Sequence, residues 1–343
     1  MGHRVAEASP TKRTTIYDLA KIAGTSASAV SAVLNGNWKK RRISEKLAER
    51  IQKLAVEQGY SVNMQASALR RERSRIIGMI VPKYDNRYFG SIAERFEIMA
   101  RDRGLFPIIT CTQRDPELEV QAARAMLSYQ VETIIATGAT DPDRISEICT
   151  AAGVRSFNLD LPGSRAPSVI SDNFEGARRL TEEVLRRNMR RFGATEPLIF
   201  VGGRGSDNNT TERIRGFRAA HEAMGIAVRD DCILPCGYAA EKAEQALQRL
   251  YDVAPDHPRG MFVNSTISLE GVLRWIKTSQ PDLLQTAAIG CFDWDPVAQL
   301  LSDNILMVRQ DVPTMLDQLW SLVAADQIAP VLIKVPPISA GLV

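Results

Sequence analysis

From Ile76 onward the chain alternates short apolar runs with amphipathic segments, and that alternation limits the fold more than any other feature. IIGMIVP precedes YFGSIAERFEIMARDRG, FPIIT precedes PELEVQAARAMLSYQ, ETIIAT precedes DPDRISEICTAAG, and RSFNLDL with SVIS precedes NFEGARRLTEEVLRRN. The pattern resumes with PLIFVGG before TTERIRGFRAAHEAMG and runs through CILP, GMFVNS and AAIGCF to ILMVRQ, which precedes PTMLDQLWSLVA. Apolar runs this short, closed by Gly and Pro, suit buried strands, and the segments between them carry helical periodicity. Strand and helix in strict succession specify βαβ units and a parallel sheet. The 268 residues from Ile76 to Val343 exceed one comfortable core, so an α/β fold with two doubly wound parallel-sheet subdomains is expected.

Ahead of this region, Thr14 to Asn35 reads TTIYDLAKIAGTSASAVSAVLN. Ile16, Leu19 and Ala20 share one helical face, and Val30, Val33 and Leu34 share another. Gly24 stands where positive φ closes the first helix, and Ser26 stands where a hydroxyl caps the second. Two short helices joined by one tight turn form a helix-turn-helix, the geometry that presents a second helix to the major groove of DNA. A third helix, ISEKLAERIQKLAVEQGY, is capped by Ser44 and covers the pair with Leu47, Ile51, Leu54 and Ala55. Between helices two and three lie Trp38, Lys39, Lys40, Arg41 and Arg42, a run that fits either a solvated loop or a phosphate clamp.

Charge follows the same division. The first 75 residues hold 15 Lys and Arg against 6 Asp and Glu, so the formal total of +3 leaves the remainder slightly acidic. Affinity for a polyanion therefore belongs to the N-terminal segment, which ends in Arg70, Arg71, Arg73 and Arg75.

The blocks TIYDLAKIAG, VLNG, the IS and GY that bracket the third helix, the Asn63 to Leu69 stretch and IGMIVP resemble, in order and spacing, the lac-repressor (LacI-type) family of bacterial transcription regulators. The longer loop NGNWKKRRIS resembles that of its fructose-repressor (catabolite repressor/activator) branch. The resemblance implies an N-terminal DNA-binding module over 14–61, a hinge helix and linker over 62–75, and a core over 76–343 similar to periplasmic sugar-binding proteins. It divides that core into a first subdomain of about 76–172 plus 310–327 and a second of about 173–309 plus 328–343. Thr15, Tyr17, Ser26, Ala27, Ser28, Ser31, Ala32 and Asn35 then face DNA with Trp38, Lys39, Lys40, Arg41 and Arg42. Asn63, Ala66 and Leu69 match a hinge helix whose leucine wedges into the minor groove. Val62 stands where many relatives have Pro, and the small Ala32 replaces a longer side chain, which implies weak direct readout. The expected partners are double-stranded operator DNA, a small sugar or sugar-phosphate effector, and a second copy of the chain in a homodimer.

Ligands of doubly wound sheets bind outside the carboxyl ends of the strands, which places an effector in the cleft between the subdomains. Tyr88 and Phe89, Asp160, Asp207, Asn209, Arg213, Ser265, Asp293 and Trp294 follow strand ends. Carboxylates, amides and an arginine suit adjacent hydroxyls, and a flat ring suits a sugar face. Asp160 and Asp207 fit helix caps equally well, and Trp294 fits a core. Arg213 in ERIRGF and Asp293 in GCFD occupy positions that, by the resemblance, grip effector. Among these carboxylates Arg213 is one cation, a balance that favours a neutral sugar, whereas the loop resemblance favours a phosphorylated ketose.

Other functions find little support. GGRGSDN lacks the third glycine of a dinucleotide fingerprint and the Gly-Lys-Ser/Thr of a phosphate loop. His221 and His257 have no nucleophile-elbow neighbour, so no catalytic constellation is expected. Five scattered cysteines argue against a disulfide framework, and the Cys232 to Cys236 spacing argues against zinc; no metal or cofactor is expected. No run of about 18 apolar residues occurs, and Met1 to Lys12 lacks the apolar stretch of a signal peptide, so no membrane association and a cytoplasmic location are expected. An exported sugar receptor or an α/β enzyme without DNA binding is the competing expectation.

Overall fold

The computed structural model describes residues 14–60, 74–253 and 258–340. The chain divides into two compact units, Met1–Ser74 and Arg75–Val343.

The first unit contains α1 (Ile16–Ala23), α2 (Ala27–Leu34) and α3 (Glu45–Glu57). Thr15 starts α1 with a reciprocal cap: its hydroxyl accepts from the Asp18 amide, while its own amide donates to Asp18 Oδ2 at 2.8 Å. Gly24 ends the helix at φ +66°, a conformation that costs a side chain but not glycine. Ser26 then caps α2 through the Ala29 amide, and Ser44 caps α3 through the Leu47 amide. Leu19, Val30, Val33 and Ile51 are buried together, each contributing about 1.5–3 kcal/mol of transfer free energy. Trp38 is half-buried and packs on this small core.

The second unit opens with β1 (Ile76–Val81), α4 (Arg87–Asp102), β2 (Phe106–Cys111), α5 (Pro116–Ser128), β3 (Thr133–Thr137), α6 (Pro142–Ala151), β4 (Arg155–Leu159) and β5 (Ser168–Ser171). The chain then crosses into α7 (Asn173–Phe192), β6 (Ile199–Val201), β7 (Gly203–Arg204), α8 (Asn208–Ala223), β8 (Ile233–Leu234), β9 (Cys236–Gly237), α9 (Ala240–Val253), β10 (Met261–Val263), α10 (Thr266–Ser279), α11 (Leu283–Thr286), β11 (Ile289–Phe292), α12 (Pro296–Leu301) and β12 (Ile305–Arg309). It closes with α13 (Val312–Ala324), β13 (Leu332–Val335) and β14 (Ile338–Ala340).

Two six-stranded sheets result. The first has the order β13-β5-β4-β3-β1-β2 and is parallel throughout; the second has the order β14-β12-β11-β10-β6-β8 with only β14 antiparallel. Each sheet is buried on both faces by its helices, which is why the strands read as continuous apolar runs. Helix α13 packs on the first sheet through Met315, Leu316 and Leu319. The segment 328–343, expected whole in the second subdomain, is divided: β13 pairs with β5 of the first sheet, and only β14 joins the second. The cause is pairing geometry, since β5 leaves an open edge that Leu332 to Val335 fill in parallel register. The chain therefore passes between the sheets three times, after Ser171, after Arg309 and after Val335. The short antiparallel ribbon of β7 and β9 has no counterpart in the sequence reading.

Candidate functional site

The strands of both sheets end at one cleft, and a pocket lined by residues of both subdomains opens there. Two buried carboxylates mark it. Asp160 follows β4 and Asp293 follows β11, at φ +75° and +113°. Backbone strain of this kind costs about 1–3 kcal/mol per residue and persists only where neighbours fix it. Here an identical bond does so in each sheet: the Asp160 amide donates to Val169 O of β5, and the Asp293 amide to Val308 O of β12, both at 3.0 Å.

Helices α7 and α8 deliver the polar groups of the second subdomain. They approach closely at Gly216, where a Cβ would lie 2.2 Å from the Phe174 carbonyl oxygen. This brings Asn173 Nδ2 within 2.9 Å of Asn209 Oδ1, and Asn209 Nδ2 in turn donates to Asp160 Oδ1 across the cleft at 3.1 Å. Tyr88 O–H donates to the same Asp160 oxygen at 3.0 Å. Arg213 is 4% exposed; its Nε donates to Asn173 Oδ1 at 2.8 Å, its Nη1 to Asn264 O at 2.6 Å, and its plane lies 3.7 Å over the Phe292 ring. At the cleft edge Arg87 Nε meets Asp295 Oδ2 at 3.2 Å, a second bond between the subdomains.

Burial pushes the Asp160 carboxyl up from its ordinary range, against the pull of Arg213 and Arg114. Burial likewise moves Asp293 up to about 6, opposed by the Trp294 amide and Arg213. The Tyr88 phenol is raised well above its usual value by the same desolvation and by Asp160 beside it. Such a cleft favours hydroxyl donors that can satisfy the two acids without water. Among the described residues no cluster of His, Cys, Asp or Glu could hold a metal ion, and no helix is long and apolar enough to cross a membrane.

The first unit offers a separate surface. Tyr17 is 74% exposed, Thr15, Ser26 and Ser28 are exposed, and Ala27, Ser31 and Ala32 are half-buried along α2. Lys39, Lys40, Arg41 and Arg42 all reach solvent beside Trp38, with Lys39 Nζ 5.2 Å from its ring centroid. These cations stand in the loop directly after α2.

Comparison with known proteins assigns a family to each unit. Residues 15–63 match the family described as "Bacterial regulatory proteins, lacI family", and residues 74–273 match "Periplasmic binding proteins and sugar binding domain of LacI family". The chain belongs to the LacI family. A relative, the ribitol operon repressor of Klebsiella aerogenes, is 66% identical over 193 residues, which cover 56% of this chain and 72% of that one. The sucrose operon repressor of Klebsiella pneumoniae is 28% identical over 303 residues, 88% of either chain. In fold, the lac repressor dimer bound to operator and the anti-inducer ONPF aligns with a TM-score of 0.78 at 19% identity, over 95% of this chain and 97% of that one. This LacI-family protein is thus a DNA-binding transcription regulator with a core of the sugar-binding type.

Of the residues expected to hold effector, Tyr88, Phe89, Asp160, Asn209, Arg213, Ser265 and Asp293 line the cavity of this regulator. Asp207 does not; its carboxylate caps α8 through the Thr210 amide at 2.7 Å and faces Arg204. Trp294 does not either, because it turns from the strand end into the second core, where Nε1 donates to Gln299. Phe292 and Ile267 supply the apolar surface on that side instead. Sequence reasoning missed Asn86, Arg114, Tyr238 and Gln310, all in turns at strand ends, where the rule that located the others applies equally. In the DNA-facing unit, the Asn35 side chain turns back to Ser31 O at 2.7 Å. Asn63, Ala66 and Leu69 lie outside the described residues. His221 is structural: fully buried, it accepts from the Leu198 amide through Nε2 while Nδ1 faces Phe217 O.

Proposed function

We propose that this protein is a cytoplasmic, homodimeric repressor of a carbohydrate operon, and that a small polyhydroxylated carbohydrate of pentose or pentitol size binds in its cleft and alters operator affinity. The observation that carries this reading is the pair of buried carboxylates, Asp160 and Asp293, at equivalent strand ends of the two sheets. An effector that donates hydroxyls to both favours one arrangement of the subdomains over another, which is all that a shift in operator affinity requires. The relationship to a ribitol operon repressor supports a five-carbon skeleton. Asn209, Ser265, Gln310 and the outer nitrogen of Arg213 complete the polar lining, with Phe89 and Phe292 as apolar walls.

On the DNA side, Thr15, Tyr17, Ser26, Ala27, Ser28, Ser31 and Ala32 meet the major groove, and Trp38 with Lys39, Lys40, Arg41 and Arg42 grips phosphate. A homodimer suits a module that reads one half-site. The cleft is read as binding rather than catalytic, because Asp160 is tied to both Tyr88 and Asn209. Thermal-shift screening of sugars, sugar alcohols and their phosphates, followed by operator titration with each hit, tests the assignment. Arg213→Ala should lose about 2–5 kcal/mol of effector affinity, because it strips a buried network of its centre. Its operator affinity without effector should stay near wild type. Normal effector binding by that variant would remove the cleft from consideration.

A further inference from the structure

The two arginines of the cleft are held in opposite ways. Arg213 is fixed by hydrogen bonds on two nitrogens and by Phe292 beneath it. Arg114, at φ +61° in the turn between β2 and α5, is held by aromatic rings and by attraction to Asp160 rather than by hydrogen bonds: its guanidinium lies 4.3 Å from the Tyr238 ring centroid and 5.5 Å from that of Phe89. Those rings belong to different subdomains. No acceptor among the described residues takes a hydrogen bond from this guanidinium, and its Nε is buried without a partner. Stacking sets the plane of an arginine fork and leaves its donors free, which is the arrangement used to recognise planar acceptors.

Resting on the carbohydrate reading of the cleft, we propose that Arg114 is the residue that determines effector specificity, and that it reads an oxygen group that accepts hydrogen bonds without donating any. Asp160 and Asp293 as carboxylates accept and cannot donate, so a ligand group placed against them must bring a proton, which selects hydroxyls. Arg114 has the reverse need. Around it stand the rings of Phe89 and Tyr238, which are poor acceptors, so a hydroxyl placed there would have to carry its own proton away toward Asp160. A keto carbonyl or a phosphate oxyanion has no proton to place. The effector is therefore polarised, with hydroxyls along the acids and an oxo or phosphoryl end against Arg114.

Calorimetry on the full chain tests this with three probes: ribitol, the 2-keto sugar of the same carbon skeleton, and the terminal phosphate ester of that keto sugar. Wild-type protein should bind one or both of the last two about tenfold or more tighter than ribitol, and Arg114→Gln should bring that ratio to within about twofold. Whichever probe binds tighter tells a carbonyl from a phosphate. Ligand-free Arg114→Gln should melt closer to wild type than Arg213→Ala does, since it gives up ring stacking and the pull on Asp160 but strands no hydrogen-bond acceptor. Preference that persists in Arg114→Gln, or wild-type protein that binds ribitol as tightly as the other two, overturns the assignment. Failure of all three to bind wild type would bring down the carbohydrate reading itself.

Discussion

Asp293 carries two demands that pull against each other. Its carboxyl must be charged to accept hydroxyls, yet burial has raised it to about 6 from an ordinary value near 4. A folded-state value above the unfolded one means that the folded protein holds its proton longer. Stability from this group is therefore complete below about pH 4 and is lost as pH rises through 6, by up to about 3 kcal/mol for a shift of about two units. Asp293→Asn should raise the melting temperature of the ligand-free protein at pH 7.5, and the gain should vanish at pH 4. Melting curves of the two proteins across that range check it; a variant less stable at both ends would show that the charged form is already satisfied. Effector affinity of the wild type should fall as pH drops below 6. Trp294, next in sequence, shows where residue-level reading fails: a tryptophan after a strand end can face cleft or core, and only the path of the chain after Asp293 sends it toward Gln299. The strand-end rule would have found Arg114 but not its stacking, because nothing in TQRDPE says that a ring from the other subdomain will meet it.

Among the elements, the loop from Trp38 to Arg42 separates reading from holding. One residue anchors it, since Trp38 packs on the three-helix core, and its other four, all cations, reach solvent. Replacing Lys39, Lys40, Arg41 and Arg42 with alanine should weaken binding to all duplexes nearly alike. It should also flatten the salt dependence by about 0.9 in log–log slope for each phosphate contact removed. Titrations at several salt concentrations check this, and an unchanged slope would reduce the loop to a spacer. The elements themselves were the most legible part of the chain. Caps at Thr15, Ser26 and Ser44, the glycine stop at Gly24 and the apolar runs of β1 to β6 each follow from local chemistry. The ribbon of β7 and β9 was not legible, because two-residue strands carry no period to read.

For the molecule, the two compact units predict separable functions. A chain starting at Arg75 should keep its folded core and its effector binding, measured by thermal shift, while losing operator affinity measured by gel shift. Specific operator binding by that fragment would contradict the family's division of labour. Two sheets were legible from length and alternation, but the fate of residues 328–343 was not, because a four-residue strand joins whichever edge is open, and that edge is a property of the assembled sheet. The late return of the chain has a consequence for biosynthesis. β13 completes the first sheet and β14 the second, so as the ribosome emits the polypeptide, neither lobe has its full set of strands until the residues near 340 have emerged. The three-helix unit, complete by Tyr60, is free to form before any strand of either sheet has been translated. A nascent regulator thus carries its DNA-facing surface well before it carries anything able to sense a ligand.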